Sequence, residues 1–160
     1  MRRRAPGFTL IEVLVVLVIV GLMASLLSLD LRGLLAREDE RELRRLRLVI
    51  EAAYERAQVG GSPVLIELTE GGYRFATLDI DNQWRPLNEP PILSERRLPG
   101  DWRWGELQQL ARFPGAQTRL LLDDEPGEFR LRLLLPNGEA WLSGDANGQT
   151  RIRLPDGKVL

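Results

Sequence analysis

Glu12 stands where a carboxylate is expensive. It is the only charge between Thr9 and Leu29, and Val13 to Leu29 is apolar or small throughout. An ionised acid at the centre of a membrane helix costs about 2.5–3.5 kcal/mol even on lenient insertion scales, so something must reward its presence. Elsewhere the chemistry is narrowed by what the 160-residue chain lacks, since it has no histidine and no cysteine. The commonest general base and metal ligand is missing, no disulfide can form, and serine–histidine–aspartate, cysteine–histidine and ordinary zinc arrangements are excluded. Carboxylates, hydroxyls, arginines and a single lysine, Lys158, remain. They form no recognisable nucleophile–base pair, so the chain is read as a non-enzyme without a cofactor.

Three further groups have types and spacing that bear chemistry. Asp79, Asp81 and Asn82 form one oxygen-rich cluster, Asp123, Asp124 and Glu125 a second, Asp145 and Asn147 a third. Calcium takes such ligands, but none of the three has a full calcium-loop spacing, and Asp and Asn equally serve tight turns. No metal is assigned. Trp84, Trp102 and Trp104 are prominent in a chain only 6% aromatic; tryptophans anchor partners or plug the edge of a small core. Arg96, Arg97, Arg130, Arg132, Arg151 and Arg153 can make a basic patch for nucleic acid. A formal net charge of −1 with interspersed acids argues against it, and salt-sensitive binding to duplex DNA would reveal it.

The elements that position these residues follow from pattern. From Phe8 to Leu29 the apolar run has 22 residues, about 33 Å of helix, which spans a bilayer core. Arg2, Arg3 and Arg4 precede it, placing the N-terminus in the cytoplasm and the remainder outside. A cleaved secretory signal and a plain signal anchor both compete for this segment. The first lacks a small-residue cleavage site after the apolar run; the second leaves Glu12 unexplained. No proline occurs between Gly7 and Pro63, so one helix continues to a stop at Gly60-Gly61. Residues 37–42 form a charged collar, with Glu40 spaced to meet Arg44 and Glu38 or Glu42 an arginine three residues on. Leu43, Leu46, Ile50, Ala53 and Ala57 then make one helical face, widened by Val49 and Tyr54.

Beyond Pro63 the period changes to two. Residues 63–69 and 73–79 read as a hairpin through Gly71-Gly72, 79–91 as an irregular loop, 92–98 as an edge strand and 105–113 as a short helix. The tail reads as a meander, 118–124, 129–135, 139–143 and 149–154, with Asn137-Gly138 as its clearest turn. The fold class is α+β: a long N-terminal transmembrane helix continuing into antiparallel sheet, in one or two layers. The segments are 1–7, 8–29, 30–61 and 62–160.

Gly7-Phe8-Thr9-Leu10-Ile11-Glu12, after a short basic leader and before an apolar run, resembles the type IV pilin class, which includes the pseudopilins of type II secretion. The resemblance implies cleavage after Gly7 by a prepilin peptidase, N-methylation of Phe8, and a pairing of Glu12 with the N-terminal amine of a neighbouring subunit. Loss of the leader would lower the basic side chains from 22 to 19 against 23 acidic ones. The Gly-Gly turn, "GYRF" and "WRPL" are similar to the H-type minor pseudopilin and to minor pilins of type IV pili, some of which bind DNA. The family implies a pair of sheets beside the helix. It also implies an inner-membrane, single-pass protein with a periplasmic domain. Its partners would be other minor and major pseudopilins, the peptidase, an inner-membrane assembly platform and secreted cargo.

Overall fold

The computed structural model describes residues 9–109, 116–125 and 127–160, and of 26–36 the backbone alone. The leader and both residues of the expected cleavage site, Gly7 and Phe8, lie outside the described residues. The chain divides into two compact units, 1–41 and 42–160.

One helix, α1 (Leu10–Gly60), runs through both. It starts at Thr9, whose carbonyl accepts from Glu12 N–H at 3.1 Å and Val13 N–H at 3.4 Å. It stops where expected, because Gly61 takes φ +59°, the left-handed conformation that ends helices cheaply at glycine. In the first unit, residues 9–25 are exposed throughout the single chain. The Ser25 hydroxyl donates to Gly21 O at 3.0 Å, so this polar side chain is satisfied by its own helix.

In the second unit the stripe Leu43, Leu46, Val49, Ile50, Ala53 and Ala57 is buried. It packs into one core shared with two antiparallel sheets. The first sheet has the path β3 (Trp84–Leu87), β2 (Gly72–Leu78), β1 (Val64–Thr69), β6 (Arg119–Leu122), with β4 (Arg96–Arg97) also pairing β2. The second runs β5 (Arg103–Gln109), β7 (Phe129–Leu135), β8 (Gly138–Gly144), β9 (Thr150–Arg153). The expected hairpin is present as β1–β2, with Ile66 opposite Phe75. Alternation is sharp in β7: Phe129, Leu131, Leu133 and Leu135 face the core, Arg130 and Arg132 the other side.

Four expectations are corrected. Residues 84–87 are not irregular loop but strand β3, tolerating Pro86 because it lies at a sheet edge. The expected strand at 92–98 shrinks to the two residues of β4. The expected helix at 105–113 is instead strand β5 up to Gln109; residues 110–113 lie outside the described residues. Its helix-favouring composition yields to the open edge of β7, since strand preference is mostly a matter of what a side chain packs against. A bulge between Trp104 and Leu107 then turns Leu107 inward. Finally, β6 is not part of the meander. It pairs with β1, and the chain passes from one sheet to the other between β6 and β7.

Candidate functional site

The N-terminal site is built from the helix start. Glu12 lies in the first turn of α1, where exposed N–H groups and the helix dipole favour negative charge. Thr9-Leu10-Ile11-Glu12 also has the Thr-x-x-Glu spacing of a capping box. This local benefit is a second reward for the acid, readable from the sequence as spacing alone. Around it Leu10, Ile11, Val13, Leu14, Val15 and Val16 are exposed, a surface that water does not favour. Among the described residues no helical stretch is long and apolar enough to cross a membrane; the apolar run continues to Leu29.

In the second unit the aspartate clusters serve turns. Asp79 Oδ1 accepts from Asp81 N–H at 2.9 Å and Gln83 N–H at 3.0 Å, and Arg85 Nε donates to its Oδ2 at 2.7 Å. Asp145 repeats this: Oδ1 accepts from Asn147 and Gln149 N–H at 3.0 and 3.1 Å, while Arg151 lies 3.2 Å from Oδ2. In both loops the fourth residue has positive φ, Asn82 at 58° and Gly148 at 76°. The signal was present in the sequence as a repeat, DIDNQWR and DANGQTR: an Asp, a Gln four residues on, an Arg six on. Arg85, first, and the Gln83 amide hold the Asp79 carboxyl below its usual range. In the remaining cluster, Asp123 and Asp124 each accept from the next backbone N–H. Among the described residues no group of acids gathers as a metal site.

Two of the three tryptophans are structural. Trp102 is buried, and half-buried Trp104 donates Nε1–H to Gly72 O at 2.7 Å. Trp84 is exposed on the edge strand β3. Gly72 is required there: a side chain would strike the Arg96 carbonyl, 2.2 Å from where Cβ would stand. Tyr73 stacks edge-on against Phe75 and Trp104. Burial pushes its hydroxyl up, against the pull of Arg45 and Arg96.

Three of the six arginines, Arg96, Arg132 and Arg151, have carboxylate partners. Arg96 Nη2 donates to Glu42 Oε1 at 2.9 Å, so Glu42 reaches across to β4 rather than along the helix. Arg132 lies 3.4 Å from Glu139. Such pairing disfavours a continuous phosphate-binding patch.

The segment 2–28 matches the family model described as the prokaryotic N-terminal methylation motif. The chain is 32% identical over 120 residues to type II secretion system core protein G of Dickeya chrysanthemi, covering 75% of this chain and 76% of that one. This chain belongs to the type II secretion pseudopilins. The pseudopilin is also 32% identical over 100 residues to type II secretion system protein H of Aeromonas hydrophila, 61% of this chain. It spans 55% of the length of that relative. Its fold is similar to that of the minor pseudopilin EpsH from the type 2 secretion system of Vibrio cholerae, with a TM-score of 0.53 at 16% identity, over 73% of this chain and 98% of that one. The N-terminal helix of the pseudopilin is of the membrane-anchoring type by its motif. The pilus and DNA-uptake alternative is not favoured.

Proposed function

We propose that this pseudopilin is a minor structural subunit of the periplasmic filament of type II secretion, helping to initiate or cap it, and that it works by assembly rather than catalysis. The observation that carries the reading is the bare aliphatic surface of residues 10–23 with one carboxylate in its first turn. Such a surface needs lipid or neighbouring helices to cover it. The leader is cut after Gly7 by the prepilin peptidase, and Phe8 becomes the methylated N-terminal residue. Glu12 then meets the amine of an adjoining subunit. In a dry helix bundle a charge pair offsets desolvation that either charge alone leaves uncompensated, so the carboxylate selects register. The N-terminus faces the cytoplasm, the helix crosses the inner membrane once, and residues 62–160 are periplasmic. Other pseudopilins, the peptidase, the assembly platform and secreted cargo are its partners.

Mass spectrometry of the protein from its native cells tests the processing: the expected N-terminus is methylated Phe8, and a chain still beginning at Met1 would overturn it. Glu12→Ala should leave insertion and cleavage intact while incorporation into filaments, read by shearing and immunoblot, is lost. Unimpaired secretion by that variant would remove the pairing from the mechanism.

A further inference from the structure

The outer face of the second sheet carries four arginines around one tryptophan. Across the strands, Arg132 pairs with Trp141 and Trp141 with Arg153; one step along, Arg130 pairs with Ser143 and Ser143 with Arg151. Strands two apart are separated by about 10 Å, and alternate residues within one by about 7 Å. The four side chains therefore rise from the corners of a rectangle of roughly those dimensions. The Arg130 and Arg132 guanidinium carbons lie 5.9 and 5.8 Å from the Trp141 ring centre, which holds both heads over the sheet. Arg130, Arg151 and Arg153 are exposed. Arg132 has Glu139 nearby and Arg151 has Asp145, while Arg130 and Arg153 have no carboxylate partner among the described residues. Glu106, exposed on β5 and bonded to the Gln108 opposite Arg130, is a third acid beside them, so four cations stand against three anions in a chain of net charge −1.

We propose that this face binds an extended acidic segment of another polypeptide. In an extended chain, residues i and i+2 point the same way about 7 Å apart, the spacing of Arg130 from Arg132 and of Arg151 from Arg153. Alternating carboxylates on the partner would meet one arginine row, each through a charge-assisted pair. The exposed internal pairs to Glu139 and Asp145 are worth little, so those arginines can exchange partners. A nucleic acid fits less well. It carries a charge at every phosphate and would press some against Glu139 and Asp145, whereas a polypeptide can set neutral side chains there. The proposal concerns a different unit of the chain from Glu12 and does not rest on the filament reading.

Fluorescence anisotropy on the full-length chain in detergent micelles tests it, with a labelled alternating Glu-Ser peptide as probe and Lys-Ser peptide and single-stranded DNA as comparisons. The Glu-Ser peptide should bind best, with affinity falling as salt rises. Arg130→Gln with Arg153→Gln should weaken it about tenfold, and Lys at both positions should restore most of the binding. Glu139→Gln removes an internal competitor and should tighten binding about threefold, a gain that misfolding cannot mimic. Equal binding of the Lys-Ser peptide, tighter binding of DNA, or indifference to both arginine and Glu139 changes would overturn the proposal.

Discussion

An aspartate at the head of a hairpin loop uses one carboxylate three ways in this protein. Asp79 takes two backbone N–H groups that the turn leaves without a ladder partner, and an arginine six residues on. All three favour the ionised form, so its folded pKa lies below the ordinary 3.8. A depressed carboxylate contributes stability above its unfolded pKa and loses it as pH falls through the folded value. Asp79→Asn should therefore destabilise the chain at neutral pH. The gap from wild type should close as pH drops below 3.8, measured by urea unfolding along a pH series. The residue types of this loop and the spaced repeat were legible, and tight turns were one reading of them; the threefold use of one carboxylate was not. Oxygen-rich clusters suit calcium and turns alike, and only the hydrogen bonds decide.

Among the elements, β5 holds the least predictable position. Its Gln109 side chain substitutes for a strand. Nε2 donates to Ala116 O at 2.9 Å and also to Arg119 O, and Oε1 accepts from Leu121 N–H at 3.2 Å. These bonds cap the outer edge of β6 and tie the second sheet to the first. Gln109→Ala would leave part-buried backbone groups of β6 without partners, at a cost of about 1–3 kcal/mol. Denaturant melts should show it as a lowered midpoint with an unchanged slope. Nothing near Gln109 in the chain signals this role, because the groups it satisfies belong to another sheet. By contrast, the hairpin of β1 and β2 and the β7–β8 turn at Asn137-Gly138 were legible, since each needs only adjacent residues.

For the second unit as a whole, one core joins helix and both sheets, and Leu133, Leu142 and Ile152 are fully enclosed. Leu133→Ala should cost about 2–5 kcal/mol, the transfer term plus a cavity. Because the core is shared, helix and sheet should lose stability together: far-ultraviolet ellipticity and tryptophan fluorescence should shift by the same amount. A shift confined to one signal would mean that the sheets fold separately. The aliphatic surface of residues 10–23 has no such core and is exposed in the single chain.

What the sequence by itself determined was what adjacent residues can encode: the basic leader and "GFTLIE" before an apolar run, the buried helical stripe, the glycine stop, and the alternation that makes Arg130 and Arg132 face away from Leu131 and Leu133. Only the tertiary structure decided that β6 joins β1 rather than β7, that a glutamine-containing segment becomes strand β5, and that the β7 arginines lie over Trp141 on the same sheet face as those of β9. Those outcomes depend on which edges and faces remain open once the hairpins and helix have packed, and an open edge is a property of the assembled layers, not of any stretch of chain.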